Sequence, residues 1–221
     1  MRRLTRTLRW MAPYLLTLAA GTFVWLPLVA AGGTTASAAA TPVVDQRSEA
    51  LISADLASDG SGTIQQLQAP HFNALCGTGA GRWAQTMTAS LTAQLSDVEL
   101  LLLRRSSDIE SPVQIEIRSV DAAGLPTDTV LGRGSTTATI PYHRSEPGWL
   151  RVALDVPVRL LIGQKAAIFP TAMPSATGAC YEWVSPGLDV YSGGSLAETT
   201  ELGAGFRLAR GRDAAFRTWM Q

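Results

Sequence analysis

The chain has 221 residues, 18 basic and 18 acidic side chains, and a formal net charge of zero. Four of the basic residues, Arg2, Arg3, Arg6 and Arg9, stand at the very start, and setting them aside leaves 14 against 18 acids, about four negative charges. Such a mildly acidic, evenly mixed chain gives no electrostatic ground for nucleic acid or an anionic membrane surface as partner.

Residues 1–40 read as a secretory signal peptide. The four arginines, with no acid among them, precede an apolar run from Trp10 to Ala31, and small residues follow, ending Ala36-Ser37-Ala38-Ala39-Ala40. Cleavage after Ala38 is expected, with Ala40 as the alternative. An uncleaved anchor is the competing reading, because about 20 apolar residues can span a bilayer; Pro13, Pro27 and the small-residue tail favour cleavage. The product is then secreted or held at the cell surface, with no membrane segment after the signal is removed.

Residues 41–75 have a weak pattern in which glycine, serine and alanine dilute short apolar pieces, and they read as a lead-in with one or two strands. Residues 76–221 read as a β domain. Its first turn, GTGAGR, has a G-x-G-x-G spacing and no following lysine, so it is a loop and not a phosphate cradle. Beyond Arg82 come short period-two runs. In VQIEIRSV, Val113, Ile115 and Ile117 share one face, opposite Gln114, Glu116 and Arg118. WLRVALDV places Leu150, Val152, Leu154 and Val156 inward, and DAAFRTWM does the same with Ala214, Phe216, Thr218 and Met220. Turn-rich pieces such as DAAGLPTD, HRSEPG and SPGLDVYSGGS separate the runs, and no helical period of any length intervenes. The expected fold is all-β: an antiparallel β-sandwich, jelly-roll-like, of about eight strands.

Cys76 and Cys180 both lie beyond the signal segment, and in an exported chain a pair is expected to be bridged. The loop closed would be long, so the bridge would add roughly 4–5 kcal/mol in the chain-entropy account. Two cysteines and two histidines without close spacing make a poor metal site. Arginine replaces lysine almost throughout, Lys165 being the only lysine, a feature read as compositional bias.

Catalytic chemistry finds little footing. His71 lies in the lead-in and His143 in a turn, there is no G-x-S-x-G, and each histidine reads as a solvated loop residue. Asp97 and Glu99 fall on one strand face, as paired carboxylates would, but also as ordinary solvent-facing acids do. A structural Ca2+ is the one metal the composition admits, with Asp121, Asp189 and Asp213 near loops, although no D-x-D-x-D run names its ligands. No other cofactor is expected.

Aromatic residues are the better lead. In CYEWV, Tyr181 and Trp183 share a face opposite Cys180, Glu182 and Val184. Burying Glu182 without a partner would be costly, which favours the two rings as core; turned the other way they form a flat exposed pair suited to sugar rings. Trp149 and Trp219 fall on the polar phase of their strands beside Arg151 and Arg217, as arginine-stacked pairs or as contacts for a partner. Tyr191, in VYSGGS, has no strand phase and is expected to be exposed. Candidate ligand-binding residues are thus Tyr191, Trp149, Trp183 and Trp219, and the candidate partner is a glycan or another cell-surface component.

The succession AQTMTA, LSDVELLLLRR, VQIEIRSV with GLPTDTVL, WLRVALDVPVRLLIGQKAAIFP, CYEWV, VYSGGS and DAAFRTWM resembles the choice-of-anchor R domain, over about Trp83 to Met220. The most specific pieces are the turn from Gly124 to Pro126, the strand-turn-strand VPVRLLIGQKAAIF, and DAAFRT. The resemblance implies an exported bacterial β-sandwich similar to carbohydrate-binding jelly rolls, and it carries over no catalytic residue. ELGAGFRLARGR stands where that family has a glycine-tryptophan turn. No sorting motif precedes Gln221, so a freely secreted or signal-anchored product is expected. The reading is a non-enzymatic module that binds carbohydrate or another surface component. A purely structural envelope protein is the alternative, and a hydrolase with an unrecognised site ranks third.

Overall fold

The computed structural model describes residues 43–47, 70–76, 81–186, 189, 191–199, 205–209 and 211–221. The signal-peptide reading of residues 1–40, and residues 48–69 of the lead-in, lie outside them. Among the described residues there is no helix, and twelve strands follow in order: β1 (Val43–Arg47), β2 (His71–Ala74), β3 (Arg82–Thr88), β4 (Ala93–Arg104), β5 (Val113–Val120), β6 (Pro126–Thr136), β7 (Gly148–Leu160), β8 (Lys165–Ala172), β9 (Tyr181–Ser185), β10 (Leu196–Thr199), β11 (Arg207–Leu208) and β12 (Phe216–Met220). The protein is therefore all-β, with more strands than the eight expected. The surplus consists of pieces such as β2, β10 and β11, of four, four and two residues, too short to display an alternation. Two of the strands, β1 and β2, come from the lead-in.

Every pairing between these strands is antiparallel. One sheet is built around β4, with β7 on one edge and β12 and β9 end to end on the other, while β1 extends β12 and β2 extends β9. The other runs β6-β5-β8-β3-β10-β11. They are joined where β7 bulges away from β4 and pairs with β6 through Gly134 and Leu154. The inward residues of both sets belong to one hydrophobic cluster: Leu95, Val98, Leu100, Val152 and Phe216 from the first, Met87, Val113, Ile115, Ile117 and Ile168 from the second.

The period-two faces of VQIEIRSV and DAAFRTWM are as the alternation predicts, with Val113, Ile115, Ile117, Ala214, Phe216, Thr218 and Met220 all buried. Val156 is the exception: expected inward, it is 71% exposed. The pairing of β4 with β7 passes from Asp97 opposite Ala153 to Leu95 opposite Val158, so Leu154 to Pro157 have one residue of β4 facing them. This irregularity resets the phase, and Val158 and Leu160 take the inward positions instead.

Cys76 and Cys180 are joined in a disulfide across a sequence separation of 104, with their Cα atoms 5.7 Å apart. It fastens the end of β2 to the start of β9, two strands already paired. The disulfide, and the fact that no helix among the described residues is long and apolar enough to cross a membrane, are compatible with an extracellular protein.

Candidate functional site

The four aromatic candidates do not form one platform. Trp183 is fully buried, its indole N–H donating to the Ala215 carbonyl at 2.8 Å, and Tyr181 beside it is also fully buried. The face of CYEWV that was the costlier to turn outward is thus inside. Glu182 stays at the surface, paired with Arg105 at 2.6 Å. Tyr191, expected to be exposed, is also buried. Its ring meets Phe216 edge-on at 5.2 Å, its backbone N–H donates to Asp213 Oδ2 at 2.8 Å, and its hydroxyl accepts from the Thr88 N–H at 3.1 Å.

Gly193 and Ser195, further along the same segment, are bound to β3 in the same way. The Thr86 N–H donates to the Ser195 carbonyl, the Ser195 N–H donates to Thr86 Oγ1, and the Thr88 hydroxyl donates to the Gly193 carbonyl at 2.6 Å. A Cβ on Gly194 would overlap the Thr86 carbonyl. The glycines therefore permit a close backbone approach to β3, and the segment is a structural splice.

Trp149 and Trp219 do lie outward, half-buried, and each carries an arginine on its ring. Arg217 stacks over Trp149 at 4.0 Å and bonds Glu99 at 3.2 Å; Arg151 stacks over Trp219 at 4.4 Å and bonds Asp97 at 3.0 Å. Cross-strand register explains the pattern, since Arg217, Glu99 and Arg151 stand in one row across β12, β4 and β7. Burial opposes ionisation of Asp97, yet the hydrogen bonds from Arg151 and Ser96 together with the Arg151 charge outweigh it and hold the carboxyl below its ordinary range. Asp97 and Glu99 thus serve as anchors for stacked arginines. Trp149 also covers a small apolar cluster of Leu101, Leu103, Val184 and Ala215.

The loop carboxylates are dispersed. Asp213 is fully buried, its Oδ1 accepting from Gln85 Nε2 at 2.9 Å; Asp121 Oδ1 accepts the Ala123 and Leu125 N–H groups of its own turn; Asp189 is exposed. Among the described residues no three histidine, cysteine or acidic side chains gather as a metal group. His143 Nδ1 accepts the Glu146 N–H at 2.8 Å in its turn, and His71 opens β2.

A concavity with mixed chemistry lies elsewhere, on the outward face of the second sheet. It is a cavity of about 250 Å3 whose lining includes Arg82 and Trp83 of β3, Gln114, Glu116 and Arg118 of β5, and Phe169 and Thr171 of β8. The register sets Gln114 opposite Thr171 and Glu116 opposite Phe169. Arg118 faces the small Ala167, which leaves it room to lie over the Phe169 ring at 4.0 Å; Arg82 approaches the same ring at 4.8 Å. Glu116 Oε2 accepts from Arg118 Nη2 at 2.7 Å, and Oε1 accepts from Arg133 Nε at 3.0 Å. Partial burial disfavours the Glu116 charge, but these bonds prevail and keep its carboxyl below the ordinary value.

A comparison with protein-family models gives no match, and none of the curated proteins compared matches the chain.

Neither Arg82 nor Phe169 is marked by local sequence. Phe169 sits in KAAIFP on the phase opposite Ile168, and it joins Arg118 and Arg82 only because β8 lies between β5 and β3. The one local signal is Arg118, two positions from Glu116 on the polar face of VQIEIRSV.

Proposed function

We propose that the protein is an exported, non-enzymatic β-sandwich module of jelly-roll type that binds a saccharide or another cell-surface component in the cavity on its second sheet. One observation carries the reading. A recess walled by an aromatic ring, an amide, a hydroxyl and charged groups sits on the open face of a rigid sheet. Trp83 offers ring surface, and Gln114 and Thr171 offer the neutral donors and acceptors that hydroxyl-rich ligands use. The disulfide and the resemblance to the choice-of-anchor R domain support the exported setting. At about 250 Å3 the recess is below the ~300–1,000 Å3 of common small-molecule sites, which suits one sugar unit better than an extended chain.

The test is a glycan-array and polysaccharide-pulldown screen of the oxidised full chain beside Gln114→Ala, Thr171→Ala and Trp149→Ala. Binding that weakens in the first two variants and survives in the third supports the cavity. Loss in Trp149→Ala alone would move the site to the first sheet. No binding to any glycan or surface extract would favour the structural envelope reading, for which the enclosure of Tyr191 and Trp183 and the arginine caps on Trp149 and Trp219 already speak.

A further inference from the structure

Resting on the binding-module reading of this cavity, we infer that its ligand is a monoanion, a carboxylate-bearing sugar of the uronic acid kind, held by Arg82 and Arg118. The argument begins with hydrogen bonds that are not made. Arg118 is 8% exposed; its Nε and Nη2 both donate to Glu116 Oε2, at 2.9 and 2.7 Å. Its Nη1 is buried and has no hydrogen-bond partner, the nearest anion being Asp128 Oδ1 at 3.5 Å on a side chain fully in solvent. Arg82 Nε is likewise buried without a partner. A buried guanidinium N–H left unpaired is costly, and both side chains line one cavity, so a small rotation that turns these N–H groups to an acceptor there would complete the set.

The acceptor's charge follows from the lining. Two arginines against Glu116 leave one net positive charge on the wall, and forked guanidinium donors match a planar oxyanion. Glu116 opposes any anion, and it opposes a phosphate dianion more strongly than a carboxylate. The non-ionic part of the ligand would meet Trp83, Gln114 and Thr171. Phe169, in contact with both guanidinium groups, restrains them before the ligand arrives.

The experiment titrates the oxidised full chain with oligogalacturonate, with its methyl ester, with neutral oligogalactan and with inorganic phosphate. The acid is expected to bind at least about tenfold tighter than the ester, the worth of one charge-assisted hydrogen bond. Arg82→Gln should remove the preference for the acid over the ester. Arg118→Gln should do the same, and if it fails to fold, Arg82→Gln and the ester comparison still decide. Ester or neutral galactan binding as tightly as the acid would overturn the inference and leave the binding module standing. Phosphate matching the acid would overturn the carboxylate choice. No binding by acid, ester or galactan would overturn the inference, while the binding-module reading stands or falls on the glycan-array screen above.

Discussion

Replacing Trp183 with phenylalanine asks whether CYEWV is core, and the structure sets the size of the answer. The indole is fully enclosed and gives its N–H to the Ala215 carbonyl at 2.8 Å. Phenylalanine cannot make that bond. The carbonyl still accepts the Leu101 N–H at 3.2 Å, so it is not stranded, and the lost bond is worth about 1 kcal/mol instead of a full desolvation penalty. Losing the fused ring leaves unfilled space in the core cluster that Trp183 shares with both sheets, for about 1–2 kcal/mol more. The expected total is about 2–3 kcal/mol, or about 4–12 °C in Tm for a domain of this size. Urea unfolding followed by far-ultraviolet circular dichroism measures it. Trp149→Phe, on the outer face, is the control and should cost below about 1 kcal/mol, since the Arg217 stack survives on the smaller ring. A Trp183→Phe cost under about 0.5 kcal/mol would refute the burial of this strand and return it to candidacy as an exposed platform.

Opening the Cys76–Cys180 bridge, which closes 104 positions of chain, should cost up to about 4–5 kcal/mol, read as a drop in Tm with reductant or in the paired serine variant. Because β2 and β9 stay paired through backbone bonds, the strands should re-form below that lower Tm. Gly194→Ala should destabilise by more than a surface change of about 0.5 kcal/mol, because the new methyl overlaps the Thr86 carbonyl; equilibrium denaturation checks it. Asp97 and Glu116 have folded-state pKa values below their ordinary 3.8 and 4.5, so the unfolded chain takes up protons first. Their contribution is fully present above that ordinary range and is lost as pH falls through it toward the folded values. A stability profile from pH 7 to pH 3 should therefore decline at the acid end, and less steeply in Asp97→Asn/Glu116→Gln.

Much of the β architecture was readable because it is local. Val113, Ile115 and Ile117 alternate within one strand, and their inward face needs no knowledge of the neighbours. That the outward tryptophans carry arginines was legible, but not which ones: the sequence sets Trp149 beside Arg151 and Trp219 beside Arg217, and the cross-strand register exchanges the partners, Arg217 lying over Trp149 and Arg151 over Trp219. Val156 and Tyr191 misled because their surroundings are distant in sequence. The phase of β7 resets at the irregularity in its pairing with β4, and Tyr191 is enclosed by β3, more than a hundred positions away, and by Phe216, 25 positions on. The cavity is the extreme case. Arg82, Arg118 and Phe169 share a wall only through the order β5-β8-β3, which loop composition does not encode.

The pairing of β1 with β12 bears on how the protein would carry mechanical load. Val43 lies opposite Met220 and Arg47 opposite Arg217, so the chain leaves the two strands at the same end of their ladder. Tension applied between those two points would open one rung at a time, as a zipper does, and β1 would peel away at low force. The rungs of β4, flanked along both edges by β7, β12 and β9, lie deeper in that sequence of rupture.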